Sequence, residues 1–225
     1  MNEPAPPTRV LLVDDHSVLR EGVRRLIDAE PDLSVVAEAG DWRSALDAFE
    51  SAPPDLAVID LSLGHDDGLD LIKQIARSWP SVRILVLSMH SEDLYGERAL
   101  RAGAHGYIEK SESSERLLEG IRTVARGGMF VSPELQETLL NRALTGVGGE
   151  SAIDQLSDRE LAVFRLIGEG LGMREIASQL HLSIKTVQTY RDRVRLKLDL
   201  ENARELARQA TLWVSEGKRP GESND

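Results

Sequence analysis

Three carboxylates, a hydroxyl and an ammonium are spaced along the first half of this 225-residue chain so that each follows an apolar run of strand length. Asp14 and Asp15 follow Val10-Leu11-Leu12-Val13, Asp60 follows Leu56-Ala57-Val58-Ile59, Ser88 follows Ile84-Leu85-Val86-Leu87, and Lys110 comes shortly after Gly106-Tyr107-Ile108. Near-continuous apolar runs are the mark of parallel strands buried on both faces. In such sheets ligands sit outside the carboxyl ends of the strands, so residues just past each end share one site. The residue types suit a hard divalent cation and a phosphoryl group. Mg²⁺ takes oxygen ligands, keeps several waters and uses one or two carboxylates plus phosphate oxygens. Asp14 and Asp15 would hold it, Asp60 would be the carboxylate nucleophile that forms an aspartyl phosphate, and Lys110 with the Ser88 hydroxyl would meet the charge spread over the phosphoryl oxygens. Taken singly, the acidic pair reads as a helix cap, Lys110 as a solvated lysine and Ser88 as a turn hydroxyl. Their joint occurrence at four strand ends, in order, selects the functional reading.

The elements that must position these residues alternate strand-like and helical patterns up to about Arg126, as βαβ units do. Strands are expected near 9–13, 33–39, 55–59, 82–87 and 105–108, with helices at roughly 16–29, 41–51, 67–78, 91–102 and 113–126. The expected fold class is α/β, a doubly wound five-stranded parallel sheet, followed by a small all-α domain. Gly127-Gly128 stops the last helix of the sheet region, and Ser132-Pro133 reads as an N-cap with proline at the first helical position. The short helix it opens ends before Gly146-Val147-Gly148-Gly149, a flexible linker and domain boundary. The domains are therefore placed at 8–126, 151–215 for the helical part, 127–150 for a linker with a short helix, and 216–225 for a disordered tail.

The first domain, over residues 8 to about 126, resembles the receiver domain of bacterial two-component response regulators, which has a flavodoxin-like sheet. The matching residues are Val13-Asp14-Asp15-His16, the segment from Asp60 to Gly68, Ser88, and Gly106-Tyr107-Ile108-Glu109-Lys110. The resemblance implies that Asp60 is the phosphoacceptor and a sensor histidine kinase its partner. It also implies that the main-chain carbonyl of Ser62 joins Asp14, Asp15 and Asp60 in the metal shell, and that Ser88 and Tyr107 form the switch pair. Gly64 and Ser111 stand where the family often has proline, and Met89 where it often has a small residue. The sequence leaves two rivals. Phosphatases of the haloacid-dehalogenase type also use a strand-end aspartate, but need Asp-x-Asp after the first strand, whereas Asp14 and Asp15 are adjacent. A phosphorylation-independent regulator or protein-interaction module is the other.

Net charge is −11, which taken alone argues against a nucleic-acid partner. The charge is not evenly placed. Residues 1–150 hold 15 Lys+Arg against 26 Asp+Glu, while residues 151–225 hold 12 of each. Within the second part, Ser183 to Lys197 carries five basic residues and one acid, Asp192, the clustered footprint of a nucleic-acid binder. Ser157-Asp158-Arg159-Glu160 is a capping box, opening a helix with Leu161, Phe164 and Ile167 on one face that closes at Gly168 to Gly172. A short helix from Met173 to Leu180 follows, then His181-Leu182-Ser183 with Ser183 as N-cap, then a longer helix to about Leu198. At about 100° per residue, Val187, Tyr190, Val194 and Leu198 form a core stripe. Lys185, Thr189 and Asp192 lie opposite, with Gln188 and Arg195 on one flank and Arg193 and Lys197 on the other. This is a helix-turn-helix, whose second helix enters the DNA major groove.

The carrying segments Leu156-Ser157-Asp158-Arg159-Glu160, Arg174-Glu175-Ile176-Ala177 and Ser183 through Tyr190 resemble the LuxR-type output domain, making the whole chain similar to response regulators of the NarL/FixJ type. That resemblance implies contacts with double-stranded DNA through residues 183–197, here Lys185, Thr186, Gln188, Thr189, Arg191, Asp192, Arg193, Arg195 and Lys197. It also implies homodimerisation through the last helix, Asn202 to Val214, where Ala203, Leu206, Ala207, Ala210 and Val214 share a stripe that periodicity alone reads as core. Gln188 replaces a common lysine and can read adenine bidentately.

Composition excludes other classes. There is no cysteine, hence no disulfide scaffold, and the histidines lack zinc-ligand spacing. The N-terminus shows no signal-peptide pattern, and no stretch approaches the roughly 20 apolar residues of a membrane span. The expectation is a cytoplasmic transcription regulator with no membrane partner, not an enzyme beyond catalysing its own phosphoryl transfer and dephosphorylation.

Overall fold

The computed structural model describes residues 6–64, 66–145, 152–180 and 182–216. The described chain falls into two compact units, Met1–Gly148 and Gly149–Asp225. The glycine cluster at 146–149 and the tail from 217 lie outside the described residues, so the linker and tail expectations fall there in part.

In the first unit, β1 (Thr8–Val13), β2 (Leu33–Ala39), β3 (Leu56–Ile59), β6 (Arg83–Ser88) and β7 (Gly106–Glu109) form one sheet in the order β2-β1-β3-β6-β7, every neighbour parallel. The apolar runs drive this arrangement because both sheet faces are covered. Val10, Leu12, Leu56, Val58, Leu85, Leu87 and Ile108 pack with Ile27 of α1 (Ser17–Asp28) and with Leu117, Ile121 and Val124 of α5 (Ser114–Ala125). The alternate residues Leu11, Ala57, Ile59, Ile84 and Val86 are equally buried and project to the other face by the two-residue period of a strand. Of the remaining helices, α2 (Trp42–Ser51) packs on β2, α4 (Glu92–Ala102) on β7, and α3 (Gly68–Ser78) on α4.

The chain winds from β1 to β2 on one side and returns to β3 on the other, so the topological switch point lies between β1 and β3. Val13 and Ile59 are partners in the ladder there, which sets Asp14 and Asp60 side by side at the strand ends. This is the crevice where open α/β sheets bind ligands.

Two features were not visible in the sequence. Ser62–Leu63 and Asp66–Asp67 form a two-stranded antiparallel ladder, β4 and β5, directly after Asp60. The short helix expected after Ser132-Pro133 is present as α6 (Pro133–Thr145), and its packing on α4 within the first unit is what the sequence did not show. Ser132 caps α6 as its sequence implied, its Oγ accepting the Leu135 N–H at 3.1 Å.

Among the described residues the second unit contains a 3₁₀ turn (Ala152–Gln155) and four helices, α7 (Asp158–Gly168), α8 (Met173–Gln179), α9 (Ile184–Lys197) and α10 (Ala203–Glu216). Val163, Leu166, Ile176, Ala177 and Val187 make its core, with Leu180, Leu182 and Tyr190 packed against it. The expected capping box is formed: Ser157 N–H donates to Glu160 Oε2 at 2.8 Å and Glu160 N–H to Ser157 Oγ at 3.4 Å. Ser183 caps α9 by accepting the Thr186 N–H at 3.0 Å.

Candidate phosphoacceptor site and nucleic-acid face

Of the five strand-end residues of the sequence argument, Asp14, Asp15, Asp60 and Lys110 come together, and Ser88 adjoins them through its backbone bond to Lys110. Asp60 follows β3, its N–H held by the Val13 carbonyl at 2.8 Å, and its side chain is 1% exposed. Lys110 follows β7, its N–H held by the Ser88 carbonyl at 2.7 Å. Its ammonium, 2% exposed, lies 2.7 Å from Asp60 Oδ2 and 2.6 Å from Asp14 Oδ2. The second Asp60 oxygen accepts the Ser62 N–H at 3.1 Å. Burial pushes the Asp60 carboxyl above the usual carboxylate range despite the opposing charge of Lys110. For Lys110, burial alone would lower the ammonium, but the charges of Asp60 and Asp14 outweigh it and hold it above the usual lysine range.

Asp14, Asp15, His16 and Asp60 bring one ligand atom each within 4.8 Å of the others. Among the described residues, three carboxylates gather round the single Lys110 ammonium, and His16 Nδ1 lies 2.8 Å from Asp15. Hard oxygen donors with that surplus fit a hard divalent cation. Asp14 is steadied by the His16 N–H on Oδ1 at 2.8 Å, and its carbonyl accepts the Arg20 guanidinium. Asp15 Oδ2 accepts the Gly64 N–H at 2.9 Å. Gly64 adopts φ +58, a left-handed conformation closed to proline. The family's common residue at that position could supply neither this conformation nor this N–H, so the sequence departure becomes a site feature.

Ser88 ends β6, fully buried, and its Oγ accepts the His90 N–H at 3.2 Å. Tyr107 points inward at 2% exposure, its hydroxyl donating to the His90 carbonyl at 2.8 Å. His90 also lies 3.2 Å from Ser62 Oγ and stacks on Tyr95 at 4.6 Å between centroids. His90 was missed by sequence reasoning, since nothing in a single chain marks a histidine two residues past a strand as packed beside the site; His16 and Gly64 were named in the sequence, but not as contacts of the acidic pair. Met89 is 72% exposed and so does not fill the site.

On α9, Val187 and Val194 are buried as expected, and Lys185, Gln188, Thr189, Asp192 and Arg193 are exposed. Arg191 instead forks onto Asp192 Oδ1, at 3.1 Å from Nε and 2.8 Å from Nη2. Two basic residues are committed to the fold. Arg195 donates to the Leu200 and Glu201 carbonyls at 3.3 and 3.2 Å. Lys197 donates to Glu160 Oε2 at 2.6 Å and the Gln155 carbonyl at 3.0 Å, fastening the end of α9 to the start of α7. The stripe on α10 also faces inward. Leu206 and Ala210 are 1% and 0% exposed, and Trp213 lies 5.6 Å from the Phe164 ring of α7. Leu206 and Ala210 are therefore core residues of their own domain, as their periodicity alone implied, and cannot be the surface of a dimer. Ala203 is exposed, and Ala207 and Val214 are half-buried.

Among the described residues no helix is long and apolar enough to cross a membrane. Residues 10–122 match the family model "Response regulator receiver domain", and residues 154–210 match "Bacterial regulatory proteins, luxR family". The oxygen regulatory protein NreC of Staphylococcus carnosus is 35% identical over 208 residues, covering 90% of this chain and 96% of that protein. Among solved structures, RcsB from Salmonella enterica serovar Typhimurium, bound to promoter rprA in the presence of phosphomimetic BeF₃⁻, aligns with a TM-score of 0.57 at 27% identity over 91% of this chain and 98% of that one. A LuxR-family two-component response regulator from Aurantimonas sp. aligns with a TM-score of 0.56 at 34% identity over 61% of this chain and 99% of that one.

Proposed function

The chain belongs to the response regulators that join a receiver to a LuxR-type regulatory domain, and from that premise we propose that it is a DNA-binding transcription regulator switched by phosphorylation of Asp60. The observation that carries this is Asp60 itself, a buried carboxylate at the topological switch point with Lys110 on one oxygen and the Asp14–Asp15 pair beside it. Similarity to an RcsB structure bound to promoter DNA with a phosphomimetic supports the DNA partner. A sensor histidine kinase is the phosphoryl donor this receiver calls for, and a cytoplasmic location follows from that role.

Asp14, Asp15 and Asp60, with the Ser62 carbonyl, would hold Mg²⁺, whose chemistry is to neutralise charge on the phosphoryl oxygens. The remaining work falls to the chain. Asp60 attacks phosphorus in line and becomes an aspartyl phosphate while the donor leaves. Lys110 exchanges its Asp60 oxygen for a phosphoryl oxygen, and the Ser88 hydroxyl turns from the His90 N–H to another. The loss of that contact frees His90 and, through its carbonyl, Tyr107. Phosphorylation thereby shifts the balance between two receiver states by as much as the phosphoryl group favours one of them, and the output follows through altered interdomain contacts and dimerisation. In the DNA-bound state α9 lies in the major groove with Lys185, Thr186, Gln188, Thr189 and Arg193 toward the duplex. Incubation with an acyl phosphate and Mg²⁺, read by intact mass, should add one phosphoryl group in wild type. A protein that binds its DNA target but never gains that mass is a phosphorylation-independent regulator.

A further inference from the structure

The segment leading into α6 is fastened to the switch region at three points. Phe130 extends the sheet beyond β7, its N–H donating to the His105 carbonyl at 3.1 Å and its carbonyl accepting the Tyr107 N–H at 2.8 Å. Ser132 donates its N–H to the Glu92 carboxylate, 3.0 Å from Oε1 and 3.1 Å from Oε2. Leu135, 6% exposed, seats on Gly96 of α4 so closely that a Cβ there would meet Leu135 Cδ2 at 2.6 Å. Glu92 stands in the first turn of α4 and is 8% exposed. Its own N–H donates to Glu109 Oε1 at 2.9 Å, and Glu109 immediately precedes Lys110. Burying a carboxylate against neutral N–H groups is costly, and burial indeed pushes the Glu92 carboxyl up. An apolar side chain would avoid that penalty but leave the Ser132 N–H unpaired, so the place calls for an acceptor aimed at the head of α6.

We propose that Glu92 is the positioning residue through which the state of the phosphoacceptor site reaches α6, the helix that leads the chain toward the DNA-binding domain. The relay runs from Lys110 through Glu109 to the first turn of α4, and from Glu92 to Ser132 at the head of α6. Tyr107, whose hydroxyl answers to His90 and whose N–H answers to Phe130, ties the same segment to the switch pair. Such coupling requires a two-state element, here a second seating of α6 on α4 beside the one the structure holds. This inference rests on the phosphoacceptor reading above.

Hydrogen exchange of residues 133–145 in the full chain, with and without acyl phosphate and Mg²⁺, tests it. In wild type, phosphorylation should change exchange across α6. Glu92→Ala should gain the phosphoryl mass at the wild-type rate, yet exchange about tenfold faster in α6 and no longer respond to phosphorylation. Glu92→Gln keeps an acceptor for the Ser132 N–H and should behave as wild type. A Glu92→Ala protein whose α6 still responds normally overturns the proposal, and so does a Glu92→Gln that behaves like the alanine variant. Should Glu92→Ala fail to fold, Leu135→Ala removes the Gly96 seat instead and must also blunt the response. If wild type never gains the phosphoryl mass, the phosphoacceptor reading falls, and the relay is then judged on basal exchange: equal α6 rates in wild type and Glu92→Ala overturn it.

Discussion

Each domain holds a lysine pinned on a buried carboxylate, yet the two pairs do opposite things. Lys110 lies 2.7 Å from Asp60 and 2.6 Å from Asp14, inside a cluster where the carboxylates outnumber the ammonium they share. Lys197 lies 2.6 Å from Glu160, which also closes the α7 capping box, and donates a second bond to the Gln155 carbonyl. In the second pair charge balances and the hydrogen bonds close on the fold. In the first, charge is left over and an ammonium is held by two acids, so that either can release it. A surplus invites a cation and a phosphoryl group, whereas a closed pair fixes a helix end.

Breaking the first pair should have the largest effects. Asp60→Asn is nearly isosteric but cannot attack phosphorus, so labelling by acyl phosphate should vanish altogether in the intact-mass assay. Undiminished, acid-stable labelling would place the chemistry on another residue. Because the substitution also removes a buried carboxylate from a cluster with excess negative charge, unfolding without Mg²⁺ should become harder by roughly 1–3 kcal/mol, read by urea titration. Lys110→Ala does the reverse. It strips the only ammonium from between Asp14 and Asp60, an uncompensated loss of about 3–5 kcal/mol, and Mg²⁺ should restore much of it. Stability that stays unchanged and indifferent to Mg²⁺ would mean the cluster carries no surplus.

What the sequence made legible follows this same division. The strand ends and the five chemical residues were readable because apolar runs buried on both faces announce parallel strands, and topology then forces their ends together. The capped helices at Ser132, Ser157 and Ser183 were readable because capping is local chemistry. The β4–β5 ladder was not, since two-residue strands carry no period. Nor was the docking of α6, which depends on Glu92 and Gly96, some forty residues upstream. Periodicity correctly marked Leu206 and Ala210 as a core stripe, and only the family resemblance assigned them to a dimer. Lys197 was grouped with the DNA-facing charges because helical angle places it on a flank, but angle does not show that Glu160 waits there.

The closed pair should therefore betray itself by an electrostatic paradox. Removing an acid from a DNA-binding domain ordinarily strengthens binding by easing repulsion of phosphates. Glu160→Ala should weaken it several-fold, because α9 loses its fastening to α7. The double variant Glu160→Gln, Lys197→Met should recover part of that loss, and the salt slope of binding should be that of wild type. A slope reduced by about one unit in Lys197→Ala would instead make Lys197 a phosphate contact.

The smallest expected effect concerns Asp192, the one acid on α9 and 55% exposed along its side chain. An aspartate that reached a base edge would accept from a cytosine amino group, and its loss would cost about 1–3 kcal/mol at the preferred site and relax one position of the motif. The structure gives its Oδ1 another occupation, holding both Nε and Nη2 of Arg191. An exposed pair of this kind is worth at most about 1 kcal/mol, and breaking it releases a guanidinium toward the phosphates while removing a repelling charge. Asp192→Ala should then tighten binding slightly and alike on specific and random duplexes, with base preference unchanged in a selection from random DNA. Loss of affinity confined to the preferred sequence would show that Asp192 leaves Arg191 and reads a base when DNA is bound, which would put this corner of the output domain with the displaceable pair of the receiver rather than with the closed one.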